Sequence, residues 1–326
     1  MRMEPETAQR VARSSRPGNT LGSLLTLLCL TGFALVGQAQ NPVGKARSLF
    51  ESRQYGEAGQ LLKAIDDNSP DYAEAQYYLG RIAVQHRQHE EAADRFREAV
   101  DANPKNADYH YWLGAAYGLC ARDANPIRQG FLANKIKSEF EQTLRLDPNH
   151  QSATWGLVQF YVRAPGFMGG GKEKARQVAN RLRTLNPAEG HLAMAFIHTQ
   201  DKKMDLAEKE YLALTRAAPD SGRYVHALGN FYQNTQQYDK AFETFENFLK
   251  QTSLPNLPVV FQIGKTSALS GKRLERGESC LLSYLKHQPQ GNEPSLAGAN
   301  FRLGMIYEKQ NRKAEARKHY EIALRL

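Results

Sequence analysis

The segment most suggestive of chemistry is Gly166–Lys172, GFMGGGK, which has the glycine and lysine spacing of a phosphate-binding loop. Such a loop needs a strand before it and a serine or threonine after the lysine. Here Glu173 follows, its carboxylate would repel phosphate, and the preceding pattern is helical. We therefore interpret the segment as a tight glycine turn that begins a helix. A contact with a partner backbone or an anion stays open, and it would use Gly166, Phe167, Gly169, Gly170, Gly171 and Lys172.

Histidines are the other candidates for metal binding or proton transfer. His86 and His89 lie beside a predicted turn, and His191 and His198 lie seven residues apart on a predicted helix. Neither pair has the cysteines or carboxylates that would complete a metal site. The three cysteines form no metal-type pair. The sequence therefore predicts no catalytic residue, no metal site and no cofactor.

The elements that position these residues form a unit that recurs about every 34 residues. The clearest copy is Ala73–Asn106, which reads as two short helices joined by a polar turn. Gly80 and Ala92 are small because the two helices approach closely, and Phe96 is large because it fills the seam between them. Pro104 closes the unit. Further copies follow in near-constant register to the end of the chain.

These residues resemble the tetratricopeptide repeat, W-x2-L-G-x2-Y…A-x3-F…P, over residues 42–326. Gln76 stands where the family has Trp and Ala83 where it has Tyr, but the small-residue pattern is kept. The resemblance implies an all-α fold, a right-handed α-solenoid of about eight helix-turn-helix repeats, and a protein-binding role. The apparent signal peptide and the loop at Ala164–Gly171 make the chain look like an exported bacterial member.

Several copies depart from the template. The first helix of the first copy is truncated, and ten extra residues lie between Tyr117 and Phe140 of the third copy. Arg163–Gly171 widens the loop of the fourth copy. Tyr320, Ile322, Leu324 and Leu326 would leave one side of the final helix uncovered, whereas repeat arrays normally end in a polar capping helix.

In this family the first helices line the concave face, and the position two residues before each Leu-Gly pair points into the groove. Aromatic rings there can hold an extended or helical peptide. Rings are also common at this position as packing residues, so both interpretations stay open. The row contains Tyr77, Tyr111, Trp155, Leu192, His226, Phe261 and Phe301.

A second row, one residue after each glycine, mixes charged, polar and apolar side chains, which argues against a highly charged ligand. Some family members hold a peptide carboxylate in a clamp of Lys and Asn. Asn230 matches one clamp position, but His226 stands where the Lys would be, so the clamp is not predicted. The predicted groove residues are Tyr77, Arg81, Tyr111, Trp155, Gln159, Phe196, His226, Asn230, Phe261, Lys265 and Phe301.

The amino terminus has the layout of a secretory signal peptide. Residues 1–20 are polar, Leu21–Val36 is apolar, and Gly37–Ala39 offers a small-x-small cleavage site. The apolar run is short for a membrane span, which favours cleavage, with an uncleaved anchor as the alternative. The sequence predicts a signal peptide over residues 1–39 and a solenoid over residues 40–326, located in the periplasm or cell envelope.

The formal net charge is +9, with 43 basic and 34 acidic residues, and no dense basic run indicates nucleic-acid binding. We expect a non-enzymatic scaffold that binds a peptide or protein segment in its concave groove. Membrane contact is expected only through an uncleaved amino-terminal segment. The alternative is an assembly subunit that acts through its long loops and forms a homo-oligomer through its C-terminal helix.

Overall fold

The computed structural model describes residues 41–252, 256–290 and 293–326. The predicted signal peptide and the start of the predicted solenoid at residue 40 lie outside these residues. Asn41–Leu326 forms one compact unit. The regular elements of the described residues are sixteen α-helices and one short 3-10 helix. None of these helices has both the length and the hydropathy that a membrane span requires.

The helices form eight consecutive pairs, and the predicted all-α solenoid is confirmed. The first helices of the pairs are α1 (Pro42–Glu51), α3 (Tyr72–Gln85), α5 (Ala107–Arg122), α7 (Gln151–Arg163), α9 (Pro187–Gln200), α11 (Gly222–Asn234), α13 (Leu257–Ser270) and α15 (Leu296–Lys309). The second helices are α2 (Tyr55–Lys63), α4 (His89–Ala102), α6 (Pro126–Leu146), α8 (Lys172–Leu185), α10 (Met204–Ala217), α12 (Tyr238–Gln251), α14 (Leu274–Tyr284) and α16 (Lys313–Arg325).

Within most pairs, a glycine of the first helix lies against a large side chain of the second. A Cβ atom built on Gly80 would lie 2.7 Å from the Phe96 ring, as the small-residue pattern predicts. On Gly229 it would lie 2.0 Å from the Phe245 ring. Both rings are fully buried. Because real Cβ contacts are longer than this, a side chain at either glycine would force the two helices apart.

Six of the eight turns within the pairs share one backbone feature, a non-glycine residue with φ between 51° and 61°. This left-handed conformation costs roughly 1–2 kcal/mol for an L-residue, so the packing of the two helices must impose it. The pairs α5/α6 and α7/α8 have no such non-glycine residue in their fully described turns, and these are the two widened repeats. The six residues are Arg53, Arg87, Lys202, Gln236, Arg273 and Asn311.

Both widened repeats are built as the sequence predicts. Helix α6 has 21 residues and begins at Pro126, where the Asn125 side chain accepts a hydrogen bond from the backbone N–H of Arg128. Between α7 and α8, residues Gly166–Met168 form the 3-10 helix. A Cβ atom on Gly170 would lie 1.7 Å from the carbonyl oxygen of Ala164, so the predicted glycine turn is confirmed.

First helices of successive repeats contact one another, as in α5/α7, α11/α13 and α13/α15. In a curved array the helices on the inner side lie closest together, so we call the surface lined by first helices the inner surface. The predicted groove residues all lie on first helices, from α3 to α15, and therefore on this surface.

The final pair corrects one part of the prediction for the C-terminal helix. The Tyr320 ring packs 5.6 Å from the Phe301 ring, and a Cβ on Gly304 would lie 2.6 Å from it. Tyr320 therefore belongs to the seam of its own pair, because it takes the place that Phe96 has in the template. Leu324 and Leu326 are exposed, at 87% and 69%.

The glycine seam yields a stability prediction. Gly229→Ala should lower the free energy of unfolding by roughly 1–3 kcal/mol, because its methyl group must displace the Phe245 ring. Gly118→Ala is the matched control, because a Cβ there meets no atom of the described chain within 4 Å and Ala favours helix. Urea unfolding followed by circular dichroism checks both variants. If Gly229→Ala and Gly118→Ala unfold at the same urea concentration, the contact between Gly229 and Phe245 does not set the helix spacing.

Candidate functional site

The predicted aromatic row lies on the inner surface with unequal exposure. Tyr77, Tyr111 and Trp155 are half-buried, and Phe301 is 47% exposed. Phe261 is only 6% exposed, because its ring packs against Tyr284 at 5.2 Å between centroids. Phe261 is therefore a core residue that offers no free ring face, whereas the other four rings each keep exposed surface.

At the amino-terminal end of the row, Arg81 lies among four aromatic rings. Its guanidinium carbon is 4.6 Å from the centroid of Phe50, 5.1 Å from that of Trp112 and 5.5 Å from that of Tyr77. Its Nη1 also donates a hydrogen bond of 3.3 Å to the Tyr77 hydroxyl. Cation–π contacts of this kind hold the guanidinium in place without neutralising its charge. Arg81 is thus a fixed positive charge on the inner surface.

In the middle of the surface, repeats three, four and five bring four predicted residues together. Tyr111, Trp155 and Gln159 line one cavity between α5, α6 and α7. The Phe196 ring packs on Trp155 at 5.7 Å, and the Arg163 guanidinium lies 5.6 Å from the Phe196 centroid. Residues from both predicted rows therefore form one continuous, mainly apolar surface here, with Arg163 at its edge.

At the carboxyl-terminal end, His226, Asn230 and Lys265 form a hydrogen-bonded chain. Asn230 bonds to His226 Nε2 at 2.9 Å, and Lys265 Nζ donates to Asn230 Oδ1 at 3.3 Å. Burial and the nearby Arg302 lower the pKa of Lys265 below its ordinary value. Burial and Lys265 likewise lower the pKa of His226. Each positive charge disfavours protonation of its neighbour, since like charges repel. A negative group placed in this cluster would therefore stabilise it.

The inner cations differ from those on second helices in their partners. Arg176, Arg183 and Arg276, on α8 and α14, lie 2.9 to 3.0 Å from carboxylate oxygens. Among the described residues no carboxylate lies within 4.0 Å of four inner cations, of which three are half-buried and Arg163 is exposed. An anionic ligand would supply the missing partner at several points along the surface. The four inner cations are Arg81, Arg163, Lys265 and Arg302.

The glycine loop is less available than the sequence indicates. The backbone N–H groups of Gly169, Gly170 and Gly171 donate to carbonyl oxygens of Gly166, Pro165 and Tyr161. Lys172 forms an ion pair with the buried Asp201 at 2.6 Å. Three glycine N–H groups of the loop and the Lys172 ammonium group are therefore used within the fold, and the contact of this loop with a partner backbone or an anion stays a prediction. The ring of Phe167 is 85% exposed and accessible to a partner.

The histidine pairs have separate roles. His191 Nδ1 bonds to Glu210 at 2.7 Å, while the pKa of His198 is lowered by burial. The rings of His86 and Tyr55 lie 6.1 Å apart, and His89 lies 3.9 Å from Asp123. No group of three or more potential metal ligands occurs within the described residues.

Two inner residues were missed by the sequence rows. Arg163 lies one helical turn after Gln159 on α7, and Arg302 follows Phe301 on α15. Helical periodicity could have found Arg163, since residues four apart share a face. Arg302 needed the structure, because its position beside Lys265 depends on the contact between α13 and α15.

Three family models, each described as a tetratricopeptide repeat, match residues 49–117, 222–251 and 297–326. The chain belongs to the tetratricopeptide-repeat superfamily. The matches fall on the amino-terminal repeats and on repeats six and eight. No curated protein matches this tetratricopeptide-repeat chain.

One solved structure shows the same fold, and two others are less similar. A tetratricopeptide repeat protein from Parabacteroides merdae is 16% identical with a TM-score of 0.54, covering 81% of this chain and 97% of that one. TTC0263 from Thermus thermophilus is 20% identical with a TM-score of 0.48, covering 59% and 97%. Human IFIT1, in a complex with m7Gppp-AAAA, is 16% identical with a TM-score of 0.49, covering 87% and 71%.

At these identities the likeness concerns the fold alone. Tetratricopeptide repeats generally serve as non-catalytic protein-interaction scaffolds, and the family assignment supports that general role here. What this member binds must be inferred from its own inner surface.

The carboxyl-terminal cluster yields a pH prediction. His226 should titrate below its ordinary pKa of 6.5, so its contribution to folding is present above pH 6.5 and is lost as the pH falls. Lys265→Met should raise the pKa of His226, because the neighbouring charge is removed. Histidine NMR titration, with His226→Asn to assign the signal, measures this shift.

The matched control is Lys250→Met, which removes an exposed lysine of α12 and should leave the titration of His226 unchanged. An unaltered pKa in Lys265→Met would contradict the electrostatic coupling between the two side chains.

Proposed function

We propose that this tetratricopeptide-repeat protein is a non-enzymatic scaffold whose inner surface binds a carboxylate-bearing segment of another protein in the bacterial cell envelope. The observation that carries the proposal is the row of four inner cations, three of them half-buried, without a carboxylate partner among the described residues. Ordinarily, a half-buried charge is paired or hydrogen-bonded, since desolvation disfavours it otherwise. A partner that brings carboxylates would complete these sites.

The spacing of the cations favours a segment with scattered acidic residues over a highly charged one. Arg81 lies on α3, Arg163 on α7, Lys265 on α13 and Arg302 on α15, so only the last two are close neighbours. Between them the surface offers the Tyr111 and Trp155 rings. A matching ligand alternates bulky apolar side chains with isolated carboxylates, and its charges supply specificity and faster association.

The location in the envelope is supported by the amino-terminal sequence. A polar arginine-containing start, an apolar run and a small-x-small site are typical of exported bacterial proteins. Cleavage after Ala39 would release the repeats, and retention would anchor them to the membrane. In both cases the inner surface would face partners outside the cytoplasm.

The test is affinity capture of the tagged full chain from bacterial envelope extracts, with partners identified by mass spectrometry. Arg81→Gln combined with Lys265→Gln should reduce partner recovery about tenfold or more, because hydrogen bonds to charged groups contribute about 1.5–3 kcal/mol each. Tyr111→Ala combined with Trp155→Ala should reduce it similarly through lost apolar contact. The intact mass of the captured protein shows whether Gln40 is its first residue.

The matched control is Lys250→Gln combined with Arg317→Gln, which removes two exposed cations from second helices. Circular dichroism must show equal helix content in every variant. Full recovery of every partner with both inner-surface variants would exclude the inner surface as the binding site.

A second candidate is an assembly subunit that works through exposed apolar side chains. Leu324 and Leu326 on the final repeat are largely exposed, and so are Phe167, Ile127 and Phe131 of the widened repeats, at 85%, 76% and 71%. Exposed apolar side chains of this size are often interaction sites. They offer self-association a surface separate from the inner one.

Light scattering after size exclusion tests this candidate. If the final repeat mediates self-association, Leu324→Ser combined with Leu326→Ser should convert an oligomer to a monomer, because the apolar contact is removed. Leu206→Ser, which alters a 40% exposed leucine of α10, is the control. A monomer at every concentration of the unaltered chain would contradict self-association.

A further inference from the structure

The two widened repeats enclose a cavity that the simple repeat pattern does not predict. Its volume is about 760 Å³, and it opens between α5, α6, α7 and the 3-10 turn. Small-molecule sites in proteins typically have volumes of about 300–1,000 Å³. The cavity is therefore large enough for a ligand with its own apolar body.

Both insertions contribute to the walls. Gln129 and Ala133 come from the extended start of α6, and Pro165 and Met168 come from the widened loop. Met168 is held against α6, since a Cβ atom on Gly130 would lie 3.5 Å from its Cε. The residues added to the repeat pattern thus wall a space beside the inner surface.

The interior of the cavity is mainly apolar, and it leaves open space next to Gly118. Leu119, Ile136, Phe160 and Trp155 contribute apolar surface. Gly118 also lines the cavity, and a Cβ atom there would meet no atom of the described chain within 4 Å. A side chain at this position would extend into the space that a ligand needs.

The charges in the wall have one sign. Arg122 and Arg163 line the cavity, and its described lining contains no Asp or Glu. Arg163 lies over the Phe196 ring and has no carboxylate within 4.0 Å among the described residues. Arg122 pairs only with the exposed Asp123, at 3.4 Å, and exposed pairs of this kind are weak. Both guanidinium groups can therefore receive an anion.

We propose that this cavity binds a small amphiphile with one anionic group, such as a medium-chain carboxylic acid. Its apolar body occupies the space between α5, α6 and α7, and its carboxylate meets Arg163, with Arg122 as a second donor. Guanidinium groups match carboxylates in geometry as well as charge. The cavity shares Tyr111, Trp155 and Arg163 with the inner surface proposed above to bind a protein segment, whereas Arg81 and Lys265 of that surface lie outside the cavity.

Calorimetric titration of the full chain with decanoate and with decanol tests the proposal. Decanoate should bind with one-to-one stoichiometry and at least about tenfold more tightly than decanol, because hydrogen bonds to charged groups are the stronger ones. Arg163→Gln should remove this preference, and Arg163→Lys should keep part of it. Equal binding of the two probes, or no saturable binding, would overturn the proposal.

Filling the cavity locates the bound probe. Gly118→Leu should weaken decanoate binding at least about tenfold, because the new side chain occupies the cavity. Gly118→Ala is the matched control and should bind within about twofold of the unaltered chain, since its methyl group leaves most of the space open. Unchanged affinity in Gly118→Leu would overturn the assignment.

Tryptophan fluorescence gives a second readout of binding, which the unaltered chain reports without any cavity-filling substitution. Decanoate brominated at its terminal carbon should quench tryptophan emission, and Trp155→Phe should abolish most of that quenching because Trp112 does not line the cavity. Quenching that persists in Trp155→Phe would overturn the location.

The same titration separates the two proposals. Arg81 and Lys265 lie outside the cavity. The Arg81→Gln, Lys265→Gln double variant should therefore bind decanoate normally even where partner capture fails. Loss of decanoate binding in this variant would contradict a decanoate site confined to the cavity. A third outcome would be that the unaltered chain does not bind decanoate and that Gly118→Leu no longer binds the protein partner. This outcome would overturn the amphiphile proposal and indicate that the cavity receives a side chain of the partner.

Discussion

The close approach of the two helices within each pair is the constraint on which the rest of the structure depends. Glycine faces an aromatic ring or a leucine in the pairs that contain Gly80, Gly229, Gly264 and Gly304. This contact fixes the distance between the helices, and each of these four pairs also holds a non-glycine turn residue at positive φ. Because the pairs are alike, their first helices stack into one inner surface.

The same contact explains how two repeats accept insertions. Phe140 of α6 lies against Gly114 of its own pair at 3.0 Å and against Gly156 of the next repeat at 2.7 Å, each measured to a Cβ built on the glycine. The extra residues extend α6 at its start and widen the loop after α7, at a distance from this seam. The array continues unchanged, and the added residues wall a cavity beside the inner surface.

The distribution of charge separates structural from functional positions. Three arginines on second helices, Arg176, Arg183 and Arg276, lie within hydrogen-bonding distance of carboxylates, so their charges are used within the fold. The cations on the inner surface rest on aromatic rings or amide groups, which orient a charge without cancelling it. Burial and Arg302 lower the pKa of Lys265, and burial and Lys265 lower the pKa of His226. A bound carboxylate would raise both pKa values.

The sequence by itself determined the repeat, the number of helix pairs, the seam of Gly80 and Phe96 and the two insertions, because each depends on residues within about 34 positions and on the helical period. It also placed Tyr77, Arg81 and Trp155 on the first helices of their pairs, as the structure has them. Only the tertiary structure showed that Phe261 is buried, that the loop glycines donate internally, and that Arg302 lies beside Lys265. These outcomes depend on distances between side chains of different helices and repeats, and packing between elements sets those distances.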